Sequence, residues 1–206
     1  MEIRLEDTGK RYNKEWIFRH IDLNLDNTNS YVIQGANGSG KSTLLQILAG
    51  VFMPSEGSIE YSIDGQKIDR DKIFKQVSIA TPYLSVYETF TLKEALDFHF
   101  QFKDTVAGVD IRQIPEILYL QHALNKPIRA YSSGMKQRVK LGLAILSDTP
   151  LLLLDEPTSN LDKTAMKWYG QLIEKHSNNR LVIVCSNQQE AEYYFCNQQI
   201  NVEDYK

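Results

Sequence analysis

Apolar residues recur along this chain in two rhythms. Near the start the period is two: Ile21–Leu25 reads IDLNL, as in a strand with one covered and one exposed face. The same patterning predicts strands over Ile3–Asp7 and Ile17–Leu25, joined by a polar turn at Lys10–Glu15. Ser30–Gln34 (SYVIQ) is predicted to be a short buried strand, and Gly35 follows at once. Lys41–Ala49 is then predicted helical and closed by Gly50. Pro54–Gly57 reads as a turn. Ser58–Ile63 alternates again and runs into Asp64-Gly65, a hairpin signal.

From about Thr91 the period lengthens. Leu92, Ala95, Leu96 and then His99 or Phe102 fall at helical spacing. Ile111–Leu120 is a second candidate helix with a breaker, Pro115, near its start, and Val139, Leu143 and Leu146 mark another. Residues 83–146 are thus expected to form a helical subdomain inserted between parallel strands. Leu151–Leu154 and Leu181–Cys185 are the next two core strands, with a helix over Lys163–His176 between them. Strands alternating with helices specify an α/β fold, and no repeat, low-complexity segment or long linker divides residues 1–206.

Composition narrows the partners. The 206 residues suffice for one domain with an insert, and 42% hydrophobic with 24% charged residues is ordinary for a globular chain. A net charge of -3 gives no basic field, so nucleic acid is not an expected partner. Lys136, Arg138 and Lys140 read as a solvated helix face. Cys185 and Cys196 fit neither a disulfide framework nor a CxxC metal site and are expected to be idle thiols. His20, His99, His122 and His176 are expected at surface or satisfied polar positions. No stretch approaches the roughly 18–20 apolar residues of a membrane span, and the opening MEIRLEDTGK lacks a secretory core. The chain is therefore expected in the cytoplasm, with any membrane spans supplied by another polypeptide.

The sharpest chemical signal is Gly35-Ala36-Asn37-Gly38-Ser39-Gly40-Lys41-Ser42, which meets G-x-x-x-x-G-K-[ST] at every fixed position. Glycines let successive N–H groups converge on phosphate oxygens, and the helix beginning at Lys41 adds its positive dipole end. Lys41 is expected to reach the β- and γ-phosphates of ATP, the Ser42 hydroxyl to ligate Mg²⁺, and Thr43 to sit against the phosphates. Downstream, Leu151–Leu154 lead into Asp155-Glu156-Pro157. A carboxylate ending a buried strand suits Mg²⁺ binding by Asp155, and Glu156 is then placed to polarise an attacking water as general base. These motifs make the fold a P-loop NTPase core with an N-terminal antiparallel β subdomain and the inserted helical subdomain.

With these motifs in order, the chain resembles the ABC ATPases over nearly its whole length. Tyr131-Ser132-Ser133-Gly134-Met135-Lys136-Gln137-Arg138 resembles the family's signature, usually near LSGGQ. Ser159-Asn160-Leu161-Asp162 is similar to its D-loop, and Tyr12 falls where its A-loop aromatic stacks on adenine. The resemblance implies a head-to-tail dimer in which Ser132, Ser133, Gly134 and Asp162 of one subunit face the nucleotide held by the other. It also implies integral membrane permease subunits as partners and a peripheral place on the inner face of the cell membrane. Tyr83, Tyr87, Phe90, Phe98, Phe100 and Phe102 fall where the family docks a permease helix, although most are expected in the core. The SSGMKQR signature and short C-terminal segment resemble exporter-type ATPases, including the small haem-exporter type. A soluble ABC switch uncoupled from transport is the alternative.

Two positions depart from the family pattern. Its switch histidine is Asn187 here, which can hydrogen-bond a phosphate oxygen but reaches less far than imidazole and carries no titratable proton. Its glutamine after the strand at Val77–Ala80 is replaced by Thr81-Pro82-Tyr83. With Lys41, Asp155 and Glu156 intact, ATP hydrolysis is expected, but slow.

Overall fold

A computed structural model describes all 206 residues. Strands β1 (Glu2–Tyr12) and β2 (Glu15–Asp26) form a long antiparallel hairpin. The predicted turn at Lys10–Glu15 shrinks to Asn13-Lys14, with Asn13 at φ 55, a conformation asparagine tolerates. The polar strand ends still pair because Trp16 is covered by two guanidinium groups, with Arg11 5.4 Å and Arg19 4.2 Å from its ring centre. After α1 (Lys41–Leu48), β4 (Glu56–Ile63) returns to β1 and turns through Asp64-Gly65 into β5 (Gln66–Ile68). Glu56 and Gly57 join β4 instead of forming the expected turn. Gly57 (φ 72) lies so close to β1 that a Cβ there would sit 2.2 Å from the Asp7 carbonyl oxygen.

The second sheet is parallel throughout. Strands β3 (Ser30–Gln34), β6 (Val77–Ala80), β7 (Leu151–Asp155), β8 (Leu181–Cys185) and β9 (Gln198–Asn201) stand in the order β6-β7-β8-β3-β9. Along β7 the pleat sorts the leucines: Leu151 and Leu153 join one core, Leu152 and Leu154 the other. The first core contains α1 and the hairpin, through Leu44, Leu45, Leu48, Ile3, Phe18 and Ile21. The second contains the helices that lie between β6 and β7. All four leucines have no measurable exposure, worth about 1.5–3 kcal/mol each. The sheet is therefore the middle layer and fixes where β3 and β7 end.

Between β6 and β7 run α2 (Leu92–His99), α3 (Ile114–Ile117) and α4 (Ser133–Ile145); α5 (Lys163–His176) follows β7. Thr91 and Glu94 close a capping box at the start of α2. The expected helix over Ile111–Leu120 is instead a 3₁₀ turn, Ile111–Gln113, followed by the single turn of α3. Pro115 has no N–H to continue the first turn, and Tyr119 at φ 56 ends the second.

Three further expectations are corrected. Of the six aromatics expected mostly in the core, Tyr83, Tyr87, Phe98 and Phe102 are exposed. Phe98 escapes burial because α2 turns only Leu92, Ala95 and Leu96 inward, and Tyr83, Tyr87 and Phe102 lie in the segments flanking that helix. Lys136, Arg138 and Lys140 do not form a solvated face: Lys136 bonds Glu88, Arg138 lies over the Tyr119 and Trp168 rings, and Lys140 bonds the Thr81 and Pro82 carbonyls. Strand β9 was unanticipated, since QQIN buries only Ile200. His99 bonds the Ser147 hydroxyl at 2.8 Å and the exposed His20 bonds Asp7 at 2.6 Å, as expected of satisfied polar residues. Both cysteines are free, and no helix is long and apolar enough to cross a membrane.

Candidate functional site

Strand β3 delivers the chain into a loop that only glycine can trace. Gly35, Gly38 and Gly40 adopt φ 145, 79 and 108. A Cβ on Gly35 would lie 2.5 Å from the Ser39 Oγ, and one on Gly40 would lie 2.5 Å from the Ile17 side chain. Gly40 is also the N-cap of α1, so no side chain caps that helix. Lys41 is buried, and its Nζ donates to the carbonyls of Gly35 (2.8 Å) and Ala36 (3.0 Å), stitching the loop around itself. Ser42 and Thr43 follow on the first turn of α1, both half-buried. Ala36, Asn37 and Gly38 form the exposed rim.

One atom in this loop is out of balance. The Ser39 hydroxyl is 2% exposed and has no hydrogen-bond partner in the protein. Leaving such a group unpaired costs about 1–3 kcal/mol. A phosphate oxygen among the loop N–H groups would satisfy it, so the residues present fit a phosphate.

The adjoining carboxylates, Asp155 and Glu156, stand at the end of β7. Asp155 is 3% exposed, and burial raises its pKa to about 6, with the charges of Glu156 and Glu192 adding to the rise. The nearby Ser42 hydroxyl and the Lys41 charge pull it down. Asp155 and Ser42, the two expected metal ligands, are therefore adjacent. A buried carboxylate beside a hydroxyl is a hard oxygen donor set of the kind Mg²⁺ takes. Glu156 turns out of the strand at φ 45, its N–H held by the Cys185 carbonyl at 2.9 Å. Its carboxylate accepts a long bond from Ser159 Oγ (3.4 Å). Asn187 is exposed just beyond β8, and with Asn37, Glu156, Ser159 and Gln189 it lines a cleft of about 410 Å³.

The signature residues stand apart from this cleft. Ser132 caps α4, accepting from Met135 N at 3.3 Å; Ser133 is exposed and Gly134 half-exposed. They line a separate cleft with Arg138, Asn160 and Asp162. Gly134 packs so closely that a Cβ would meet the Asn160 carbonyl oxygen at 3.1 Å. Asp162 caps α5 through Ala165 N (2.7 Å). The two clefts are joined through the interior: Gln137 on α4 donates to the Pro157 carbonyl at 2.9 Å. Tyr12 ends β1, 45% exposed, paired with Glu15; two residues beyond that partner, Ile17 touches Gly40.

Glu192 escaped the sequence reading. It is 2% exposed and accepts from Thr158 N (3.1 Å), Thr158 Oγ1 (2.8 Å) and Ser186 Oγ (2.6 Å). Burial raises its pKa, partly offset by these bonds. It ties the segment after Glu156 to the segment before Asn187. Within the polar run Asn187–Glu192 it carried no signal of burial.

The chain matches the ABC transporter family over residues 18–159. It is 29% identical over 182 residues to the bacitracin transport ATP-binding protein BcrA of Bacillus licheniformis, covering 88% of this chain and 60% of that protein. To the cytochrome c biogenesis ATP-binding export protein CcmA of Reclinomonas americana it is 33% identical over 184 residues, covering 87% and 81%. It spans only 10% of the human phospholipid-transporting ATPase ABCA3, at 28% identity. The first and last of these relatives are thus covered over less than two thirds of their length. Among solved structures, the fold matches a putative ABC transporter ATP-binding protein from Pyrococcus furiosus, with TM-score 0.82 at 20% identity and complete coverage of both chains. It also matches the dimeric bacterial cassette MJ0796, with TM-score 0.78 at 23% identity over 97% and 94% of the chains.

Proposed function

The chain belongs to the ABC transporter family, and from that membership we propose that it is an ATP-binding subunit which hydrolyses ATP at a dimer interface to drive transport by separate membrane subunits. The observation that carries the reading is the P-loop itself, with its buried Ser39 hydroxyl lacking an acceptor and its Ser42 hydroxyl beside Asp155. ATP is held by the loop N–H groups, Ser39 and the start of α1, with Lys41 moving from its loop carbonyls to the β- and γ-phosphates. Tyr12 offers a face for adenine. Mg²⁺, when bound, neutralises developing phosphate charge; Ser42 and Asp155 are the residues that hold it. Glu156 orients and deprotonates the attacking water.

The reading requires a second subunit. Ser132, Ser133 and Gly134 lie in a cleft of their own, away from the loop of the same chain. In a head-to-tail dimer they reach the γ-phosphate held by the partner, with Asp162 beside them. This supports a cycle of ATP-driven closure and release on hydrolysis. The membrane subunits dock on the exposed aromatic face around Tyr87 and Phe98, and the chain works on the cytoplasmic side, where ATP is supplied. The match to a protein named for export favours an exporter.

The test is nucleotide binding and turnover in the Lys41→Ala and Glu156→Gln variants, each with its membrane partner. Lys41→Ala should weaken ATP binding at least tenfold. Glu156→Gln should bind ATP normally and lose turnover by a factor of at least about 100. Normal turnover in Glu156→Gln would remove its assignment as base.

A further inference from the structure

Two aromatic residues flank the turn of the β1–β2 hairpin, and their surroundings differ. Trp16 already carries two guanidinium groups, Arg19 at 4.2 Å and Arg11 at 5.4 Å from its ring centre. Tyr12 carries a single cation. The Lys10 ammonium lies 5.4 Å from the centre of its ring and 5.4 Å from the centre of the Phe52 ring. Lys10 and Tyr12 are two residues apart on β1, so their side chains share a face of the strand. Tyr12 remains 45% exposed.

An ammonium above an aromatic face is held by the ring's quadrupole, and the second ring adds to that attraction. Lys10 also donates to the Met53 carbonyl at 2.8 Å, and none of the protein's ion pairs includes it. A tether between β1 and the Met53–Ser55 segment does not need that ammonium. Ser55 N donates to the Gly9 carbonyl at 2.7 Å, and Arg11 N donates to Ser55 Oγ at 3.2 Å. The strand is thus already fastened on both sides of Lys10. What a charge at this position adds is its place over the Tyr12 ring.

The segment that holds Lys10 continues from the phosphate-binding helix. Val51 N and Phe52 N both donate to the Gln46 carbonyl, at 3.0 and 3.1 Å, so the chain leaves α1 through a bonded turn into Phe52 and Met53. The same helix begins at Lys41, directly behind the phosphate loop. The second strand of the hairpin reaches that loop as well, with the Ile17 side chain against Gly40. Lys10 therefore connects the Tyr12 ring to the body that carries the phosphates. A tyrosine at a hairpin end is otherwise free to turn about two side-chain bonds, and a base that stacks on it must first immobilise it.

We infer that Lys10 is a positioning residue for the adenine base of ATP. Its ammonium, anchored by the Met53 carbonyl and the Phe52 ring, covers one face of Tyr12 and leaves the other for the base. The inference rests on the assignment of Tyr12 to adenine and adds what holds that ring in place. Lys10 itself grips neither base nor phosphate. Removing its charge loosens the stacking platform and leaves the hold on the phosphates as it was.

The test compares, by calorimetry on the purified chain, the binding of MgATP with that of magnesium tripolyphosphate, which lacks ribose and base. Lys10→Met keeps an apolar stem and loses the charge; it should weaken MgATP about threefold or more and leave tripolyphosphate unchanged. Lys10→Arg, whose guanidinium also stacks on rings, should stay within about twofold of wild type. Tyr12→Leu should weaken MgATP at least about fivefold, and adding Lys10→Met to it should weaken binding no further. Unchanged MgATP affinity in Lys10→Met beside a weakened Tyr12→Leu sinks the inference alone. Equal losses for MgATP and tripolyphosphate would overturn it too, because the ammonium would then act on the phosphates or the fold. So would additive losses in the double variant, or an arginine variant as weak as the methionine one. Wild-type affinity in Tyr12→Leu removes the adenine assignment, and the inference falls with it.

Discussion

Replacing Glu192 by alanine isolates the buried link between the segments that follow β7 and β8. Its carboxylate is the acceptor for Thr158 N, Thr158 Oγ1 and Ser186 Oγ. After truncation, Thr158 Oγ1 can still use Gln189 Oε1 at 3.1 Å, but the Thr158 N–H and the Ser186 O–H lose their acceptor. At about 1–3 kcal/mol for each orphaned buried donor, the loss is about 2–6 kcal/mol. Removing a carboxylate that burial and neighbouring Glu156 both disfavour offsets part of this. A net destabilisation of about 2–4 kcal/mol follows, or roughly 4–16 °C in Tm for a chain of this size. Glu192→Gln keeps an acceptor for Thr158 and can donate to Ser186 Oγ, so it should stay within about 1 kcal/mol of wild type. Urea unfolding measures both. ATP turnover below the melting range should fall at least about tenfold in kcat for Glu192→Ala with KM little changed, and no more than a few-fold for Glu192→Gln. Wild-type stability and turnover in Glu192→Ala would refute the reasoning, as would a glutamine variant as damaged as the alanine one.

Two further outcomes are expected. Asn187→His should raise kcat by several-fold or more in the complex with its membrane partner, since imidazole reaches further toward the γ-phosphate; unchanged turnover would clear Asn187 of limiting the rate. His99 titrates near 4 in the fold against 6.5 in the open chain, so between those values the unfolded chain binds the extra proton and stability falls as pH falls. Going from pH 7.5 to 4.5, wild type should lose about 2–3 kcal/mol more than His99→Gln, compared by urea unfolding at both pH values.

The sheet was legible in the sequence wherever a strand is buried on both faces. Ser30–Gln34 and Leu181–Cys185 begin and end in the structure where their apolar runs do, and β7 adds only Asp155. Such runs have no polar alternative conformation to compete with. Legibility failed where tertiary contacts, not local pattern, decide. The hairpin lengthened because Trp16 lies between two arginines, and β9 exists because β3 offers it a ladder. The predicted helix at Ile111–Leu120 had the right period but the wrong continuity, broken at Pro115. For the candidate site, the phosphate loop was readable because its chemistry demands residues at fixed spacing. The Glu192 link joins residues 34 positions apart through a buried carboxylate, and no spacing rule announces it. The exposure of Tyr87, Phe98 and Phe102 was equally silent, because an aromatic residue reads as core until the structure shows nothing covering it.

The central claim is that two chains complete each nucleotide site. Its most direct test is the mass in solution of Glu156→Gln, which holds ATP without turnover, measured by light scattering with and without MgATP. The account predicts a change from 23.7 kDa to twice that, about 47 kDa, on adding MgATP. Adding Ser133→Arg should return the mass to the monomer value without weakening ATP binding. A Glu156→Gln chain saturated with MgATP yet still at 23.7 kDa would contradict a composite site formed by two copies of this chain.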